Sequence, residues 1–421
     1  MGARPFHVIA SFHQLSWCAQ NGPAFRDAAS LFELWWQLVA FHVDEGWHHV
    51  EDILSMQKSG WSTSMINLLI VAGGTGGHIW PSIAFGQWAE RNAGARVTFV
   101  CGNRPIEREI YSWAGVNPII LPLSGSPLGK MKAFVSRSAD AVLSAIKAWE
   151  IIKDADADLC LLFGGYLSAP FILASRVKGV KAVVHEQNAI AGRVTRLAWR
   201  TGIPVLSGWN RCKPFPPGTF TSVGIPVRKI EKLEAAKGWK RLGLSGSPFS
   251  PPRVLVMGGS LGSASLKETA IELSRRPEFA SWGFIIVGFP STHEMLPQNV
   301  ISLPRVWDIS ALFSLASIAI VRGGASTLAE LLAYKLPAIV VPWKEAVGNH
   351  QLENGRCFIE LGGGKMWTEC EPIDSLAAML RELAEITAPE VRRYDISEAV
   401  CSKMWERLMS FFSSKGEGLV V

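Results

Sequence analysis

Ile66-Asn-Leu-Leu-Ile-Val-Ala-Gly-Gly-Thr-Gly-Gly-His78 is the stretch that decides the fold. Its apolar run, Leu68 to Ala72, reads as a strand covered on both faces, the mark of a parallel sheet. The glycines that follow permit positive φ and a close backbone approach to a ligand. Amides at the start of the next helix can then hold an anion. The spacing is not G-x-G-x-x-G, because Ile79 stands where the last glycine would fall, which argues against a dinucleotide-dependent oxidoreductase. His78 stands at the carboxyl end of that strand, where open α/β sheets gather their ligands. Catalysis or substrate contact is the expected role.

Working outward, strand, loop and helix alternate. Strands are expected near 66–72, 96–101, 117–121, 158–163 and 180–184, with helices over 82–93 and 131–153. A second series follows Pro251-Pro252, with strands near 253–257, 283–287, 317–321 and 337–341 and helices near 263–274, 325–334 and 349–361. Two such series predict two doubly wound parallel α/β domains. The Pro-, Gly- and Ser-rich zone from Phe215 to Pro251 reads as the linker.

Three more glycine turns follow strands: Gly164-Gly-Tyr166, Gly258-Gly-Ser260 and Gly323-Gly-Ala-Ser-Thr327. Amides near Gly324 and Ala325 would face a phosphate. Glu330, two turns into that helix, suits the hydroxyls of a ribose. His185-Glu-Gln-Asn188 closes another apolar strand, and four polar residues in a row are costly to bury without partners. One glycine turn says little. Four at strand ends, two in each half, predict a cleft for a phosphate-bearing ligand.

The chain has 421 residues, 48% hydrophobic and 19% charged, with a formal charge of +6. That excludes a disordered chain. Its two longest charge-poor stretches, near Trp61–Ala89 and Leu159–Ser175, are broken by glycine pairs and proline and are not read as membrane spans. Seven scattered cysteines with no C-x-x-C fit a reducing compartment. Residues 1–64 hold three basic against six acidic residues, so the basic excess lies beyond them. There Leu31–Val43 reads as a short apolar helix, and His48-His49 as a polar face rather than a metal site.

Together, Leu69–Ile79 with Pro81, Gly164–Tyr166, His185–Ala189, Gly224-Ile-Pro-Val-Arg228, Gly258–Ser260, Arg322 with Gly324-Ala325 and Glu330, and His350-Gln351 with Asn354 resemble the MurG family. These are the bacterial undecaprenyl-pyrophosphoryl-MurNAc-pentapeptide N-acetylglucosaminyltransferases of glycosyltransferase family 28. The resemblance runs from Met65 to the C-terminus. It implies a GT-B fold, two Rossmann-like domains facing across a cleft: an extension of unknown role over 1–64, an acceptor and membrane-associating domain over 65–223, a UDP-GlcNAc domain over 224–395, and a C-terminal helix over 396–421 packing back on the first domain. It also implies inverting transfer of GlcNAc from UDP-GlcNAc to the C4 hydroxyl of MurNAc in lipid I, giving lipid II.

By the same resemblance, His78 is the candidate general base; an ordinary histidine pKa of about 6.5 suits that task. Thr75, Gly76, Gly77, Asn188, Arg228, Ser260, the backbone at Val306, Ala325, Ser326, Thr327, Glu330, Gln351 and Asn354 are expected at the donor. Gly74, Gly164, Gly165, Tyr166, His185, Glu186 and Gln187 are expected on the acceptor and phosphate loops. Glycine-loop amides take the place of a cation, so no metal or cofactor is expected. Lys130, Lys132, Arg137 and Lys147, among apolar residues at helical spacing, match the family's membrane-docking region. The implied place is the cytoplasmic face of the bacterial membrane, held peripherally. Other cell-wall synthesis proteins are further candidate partners, and nucleic acid is not expected. The sequence departs from the family pattern at Leu261, Gly323 and Asn349. The competing readings are another UDP-sugar glycolipid transferase of this fold, a UDP-GlcNAc epimerase, and a nucleotide-sugar-binding homologue with reduced activity.

Overall fold

A computed structural model describes residues 65–123, 134–259, 263–288, 295–385 and 397–413, with the side chains of 134–142, 347, 397 and 413 left aside. The readings made for residues 1–64, for Lys130 and Lys132, for the Arg137 side chain, and for Ser260 and Leu261 therefore lie outside the described residues.

The first domain contains β1 (Asn67–Val71), α1 (Gly76–Ala93), β2 (Arg96–Cys101), α2 (Pro105–Trp113), β3 (Ile119–Ile120), α3 (Phe134–Asp154), β4 (Leu159–Leu162), α4 (Ser168–Lys178), β5 (Lys181–Glu186), α5 (Arg193–Arg200), β6 (Val205–Ser207) and β7 (Thr221–Ser222). The second contains α6 (Ala235–Arg241), β8 (Arg253–Met257), α7 (Ala264–Ser274), β9 (Gly283–Val287), β10 (Val300–Leu303), α8 (Ile309–Leu315), β11 (Ile318–Val321), α9 (Ala325–Tyr334), β12 (Ala338–Val340), α10 (His350–Glu360), β13 (Gly364–Met366) and α11 (Ile373–Glu385). Helix α12 (Ser397–Ser413) follows.

The sheet orders are β3-β2-β1-β4-β5-β6-β7 and β10-β9-β8-β11-β12-β13. Every pairing is parallel. In each sheet the order reverses beside the first strand, between β1 and β4 and between β8 and β11. Those are the switch points at which such sheets bind ligands. The four glycine turns read from the sequence follow these four strands.

Alternation explains the layering. Leu68 and Ile70 of β1 enter one core cluster, Leu69 and Val71 the other. Val254 and Val256 of β8 split from Leu255 in the same way. Helix α12 packs Cys401, Met404 and Leu408 into the first-domain cluster around Leu68 and Ile83. A fully buried side chain of that size contributes about 2 kcal/mol, so the C-terminal helix is anchored to the first sheet. Among the described residues, no helix is long and apolar enough to cross a membrane.

Two expectations need correction. Helix α1 begins at Gly76, six residues before the expected start, and contains Pro81. His78 is therefore in the first helical turn rather than on a loop. The Phe215–Pro251 zone is also more than a linker, because it supplies β7 to the first sheet and α6 to the second domain. β7 is two residues long, too short to carry a period.

Candidate active site

The floor of the site is the first-domain loop and the start of α1. Thr75 occupies the N-cap position in extended conformation, and its carbonyl accepts from the His78 and Ile79 amides. Gly164 and Gly165, after β4, adopt φ of 75° and 71°. A Cβ on Gly165 would lie 3.4 Å from the Gly73 carbonyl and 3.7 Å from the His78 ring. A side chain would thus fit there at ordinary contact distance, and it is the positive φ that favours glycine. The partly exposed His78 ring rests against this glycine surface.

Across the cleft, α9 starts at Ala325 with Gly324 as its N-cap. Neither α1 nor α9 has an acidic residue in its first turn. The two N-termini meet: Ser326 Oγ donates to the Gly77 carbonyl at 2.6 Å. Pro81 explains why that carbonyl is available, since the helical bond to Gly77 would have come from the amide that proline lacks. Two helix ends carrying partial positive charge thus converge on one space, which favours an anion.

The residues expected at the donor are assembled, though several face protein. Arg228 Nε donates to Glu330 Oε1 at 2.8 Å, and its other nitrogen to the Trp307 carbonyl at 2.7 Å. The guanidinium lies 4.0 Å from the Trp80 ring centroid. Val306, partly buried, packs on the second-domain core beside Trp307. Gln351 Oε1 accepts from the Trp343 amide at 3.0 Å. Asn354, expected to read sugar hydroxyls, is fully buried. Its amide donates to Asn188 Oδ1 at 3.1 Å and the Gly323 carbonyl at 2.9 Å, and its oxygen accepts from the Ala189 amide at 2.8 Å. It orients Asn188 from behind.

The residues that end and follow β5 also differ from expectation. His185, Glu186 and Gln187 are buried and so form no open acceptor surface. Glu186 accepts from the Asn188 amide and side chain, the Gly192 amide at 3.0 Å and Thr195 Oγ1 at 2.5 Å. A carboxylate with that many donors organises a turn. His78 Nδ1 lies 2.5 Å from Gln187 Oε1. Burial drives the His185 pKa down to about 4, so this ring is neutral.

Two departures from the family pattern have local reasons. A Cβ at Gly323 would lie 2.3 Å from the Gln351 carbonyl, so this backbone approach admits glycine alone. Asn349 sits at φ 58°, a left-handed position that Asn tolerates better than most residues.

Sequence reading missed Glu107. This buried carboxylate on α2 accepts from the Gly74 amide and, at 2.8 Å, from the Tyr166 hydroxyl. It ties the two first-domain loops together. Burial, with Glu107 beside it, pushes the Tyr166 pKa up and keeps the hydroxyl a donor. No local sequence signal marked it, because its burial and partners arise from tertiary contacts. Also missed was a contact at the cleft's edge, where Glu109 accepts from Trp307 Nε1 at 2.8 Å and Arg305 at 3.3 Å while Trp80 packs 5.9 Å from Trp307.

On α3, Leu143, Ile146 and Trp149 are exposed. Lys147 there pairs with Glu150 at 2.9 Å. The Lys153 and Lys178 ammonium groups lie 5.8 and 6.0 Å from the Trp149 ring centroid. Among the described residues, no group of three or more His, Cys, Asp or Glu side chains is placed to hold a metal ion.

Two facing Rossmann-like domains with a phosphate-ready cleft define a GT-B glycosyltransferase. The family model for the glycosyltransferase family 28 N-terminal domain matches residues 68–205, and that for its C-terminal domain matches 253–392. The UDP-N-acetylglucosamine--N-acetylmuramyl-(pentapeptide) pyrophosphoryl-undecaprenol N-acetylglucosamine transferase of Nitratidesulfovibrio vulgaris is 30% identical over 362 residues, covering 80% of this chain and 92% of that protein. Its namesake from Magnetococcus marinus is 32% identical over 317 residues, covering 71% and 83%. MurG of Acinetobacter baumannii superposes with a TM-score of 0.59 at 21% identity, over 82% of this chain and 98% of that one, and so shares the fold. The chain belongs to glycosyltransferase family 28, among the MurG transferases.

Proposed function

We propose that this chain transfers GlcNAc from UDP-GlcNAc to the C4 hydroxyl of the MurNAc of lipid I, with inversion, to form lipid II. The observation that carries this reading is the meeting of the α1 and α9 N-termini, with His78 in the first turn of α1, in a chain of this family. The hydroxyl oxygen attacks the anomeric carbon as the bond to the UDP oxygen breaks. His78 accepts the hydroxyl proton, and UDP leaves with the electron pair. Amides of the two helix ends and of the Gly164–Gly165 loop meet the charge growing on the pyrophosphate. Arg228 and Glu330 hold the nucleoside, and Asn188 lies between donor and acceptor. No divalent cation is required in this scheme.

The chain works at the cytoplasmic face of the membrane, which it meets through the exposed Leu143, Ile146 and Trp149, aided by Lys130, Lys132, Arg137 and Lys147 of the same stretch of sequence. Exposed apolar side chains in a stretch of sequence rich in basic residues suit an anionic interface.

The test is transfer from labelled UDP-GlcNAc to a lipid I analogue. Product is expected with the full chain, and His78→Ala should lower kcat about 10²- to 10⁴-fold. A near-normal kcat in that variant refutes the base. Conversion of UDP-GlcNAc to its 2-epimer without acceptor refutes the transferase reading.

A further inference from the structure

Behind His78 runs a chain of hydrogen bonds whose direction can be worked out atom by atom. It starts at the Gly224 carbonyl, which lies 2.8 Å from His185 Nε2. A carbonyl only accepts, so Nε2 carries the hydrogen. The buried ring is neutral, which leaves Nδ1 with a lone pair. Gln187 Nε2 lies 2.8 Å from that Nδ1 and 2.7 Å from the His185 carbonyl oxygen. Both are acceptors, so both amide hydrogens are engaged. Turning the amide over would set its oxygen against two lone pairs. Gln187 Oε1 must therefore face His78 Nδ1, 2.5 Å away, and Nδ1 must carry a hydrogen. In a neutral His78 ring the lone pair is then on Nε2.

We infer that His185 and Gln187 are positioning residues: a relay from the Gly224 carbonyl fixes His78 as the Nδ1–H tautomer and makes Nε2 the basic atom. The tautomer of a histidine is set by the bond its other nitrogen makes. Here that bond is set by a second histidine through an amide that has one allowed orientation. The far end of the relay is the backbone leading to Arg228, four residues on. One hydrogen-bonded path thus joins the base to the segment that carries a donor-site cation. The inference rests on the reading of His78 as base for its functional meaning, but the tautomer itself is observable without turnover.

The experiment uses the full chain labelled with ring-¹⁵N histidine. Long-range ¹⁵N–¹H correlation spectra are recorded near neutral pH, with His78→Ala identifying the His78 signals. Wild type is expected to show a protonated Nδ1 and a bare Nε2. Gln187→Met, which neither donates nor accepts there, should lose that preference and lower kcat about 10²-fold, with the KM for UDP-GlcNAc changed less than about twofold. In Gln187→Glu the second oxygen faces the His185 acceptors and must take a proton there; the first oxygen still accepts from Nδ1, so the Nδ1–H form should be retained, which separates tautomer control from general damage. A bare Nδ1 in wild type, or an unchanged tautomer in Gln187→Met, overturns the relay. A changed tautomer in Gln187→Met with kcat intact supports the relay and overturns the base.

Discussion

Lowering the pH should unload the first domain through His185. In the folded chain burial holds this ring's pKa at about 4, against an ordinary 6.5. The unfolded chain therefore takes up a proton below about pH 6.5, while the folded chain resists until about pH 4. Stability is fully present above the unfolded value and is lost as pH falls through that window. Each pH unit inside it is worth about 1.4 kcal/mol, so the whole passage costs about 3 kcal/mol. The assay is urea unfolding at steps from pH 7 to pH 4, for wild type and for His185→Phe, which keeps a ring against Phe163. Carboxylates titrate in both proteins, so the difference between the curves carries the result. His185→Phe starts lower, because the Gly224 carbonyl and Gln187 lose a partner. Its stability should then fall about 3 kcal/mol less than wild type across the window. Parallel losses in the two proteins would refute the claim that this ring is held neutral, and with it the direction of the relay.

Chelator should leave transfer rates within about twofold, and added magnesium should change them no more, because the proposed scheme gives the leaving pyrophosphate to amides at the helix ends; abolition by chelator would sink that account. Exchange of Lys130, Lys132, Arg137 and Lys147 for Gln should weaken co-sedimentation with anionic liposomes by about 1 kcal/mol per charge near the surface, and unchanged binding would remove the patch. Gly165→Ala should cost about 1–2 kcal/mol in thermal unfolding because φ is 71° there, and relaxing that φ shifts the loop that touches Gly73 and His78. Activity should fall further than stability; an unaffected kcat would mean that this contact does not position the base.

Much of the fold was legible because its signals are local. The apolar run before Gly73 could only be a strand buried on both faces, and the second series repeated it. Glycine turns after strands marked the switch points before any sheet order was known. Where elements lacked a period, sequence reading stopped: β7 has two residues and β13 has three, and the domain that α12 covers came from the family resemblance rather than from the helix's own pattern. The start of α1 was misread because glycines and a proline usually argue against a helix.

For the site, sequence determined which chemistry is present. His78, Asn188, Arg228, Glu330 and the glycine turns are the groups that the proposed reading assigns to an anionic sugar donor, and their order pointed to the family. Tertiary structure decided what each one faces. His185, Gln187 and Asn354 read alike with residues that touch a ligand, yet their polar atoms are taken by Gly224, His78 and Ala189, which lie 39, 109 and 165 residues away. Glu107 became visible only when Gly74 and Tyr166 arrived beside it. The physical reason is that residue type fixes what a group can donate or accept, whereas burial and partnership depend on chain segments that meet only on folding.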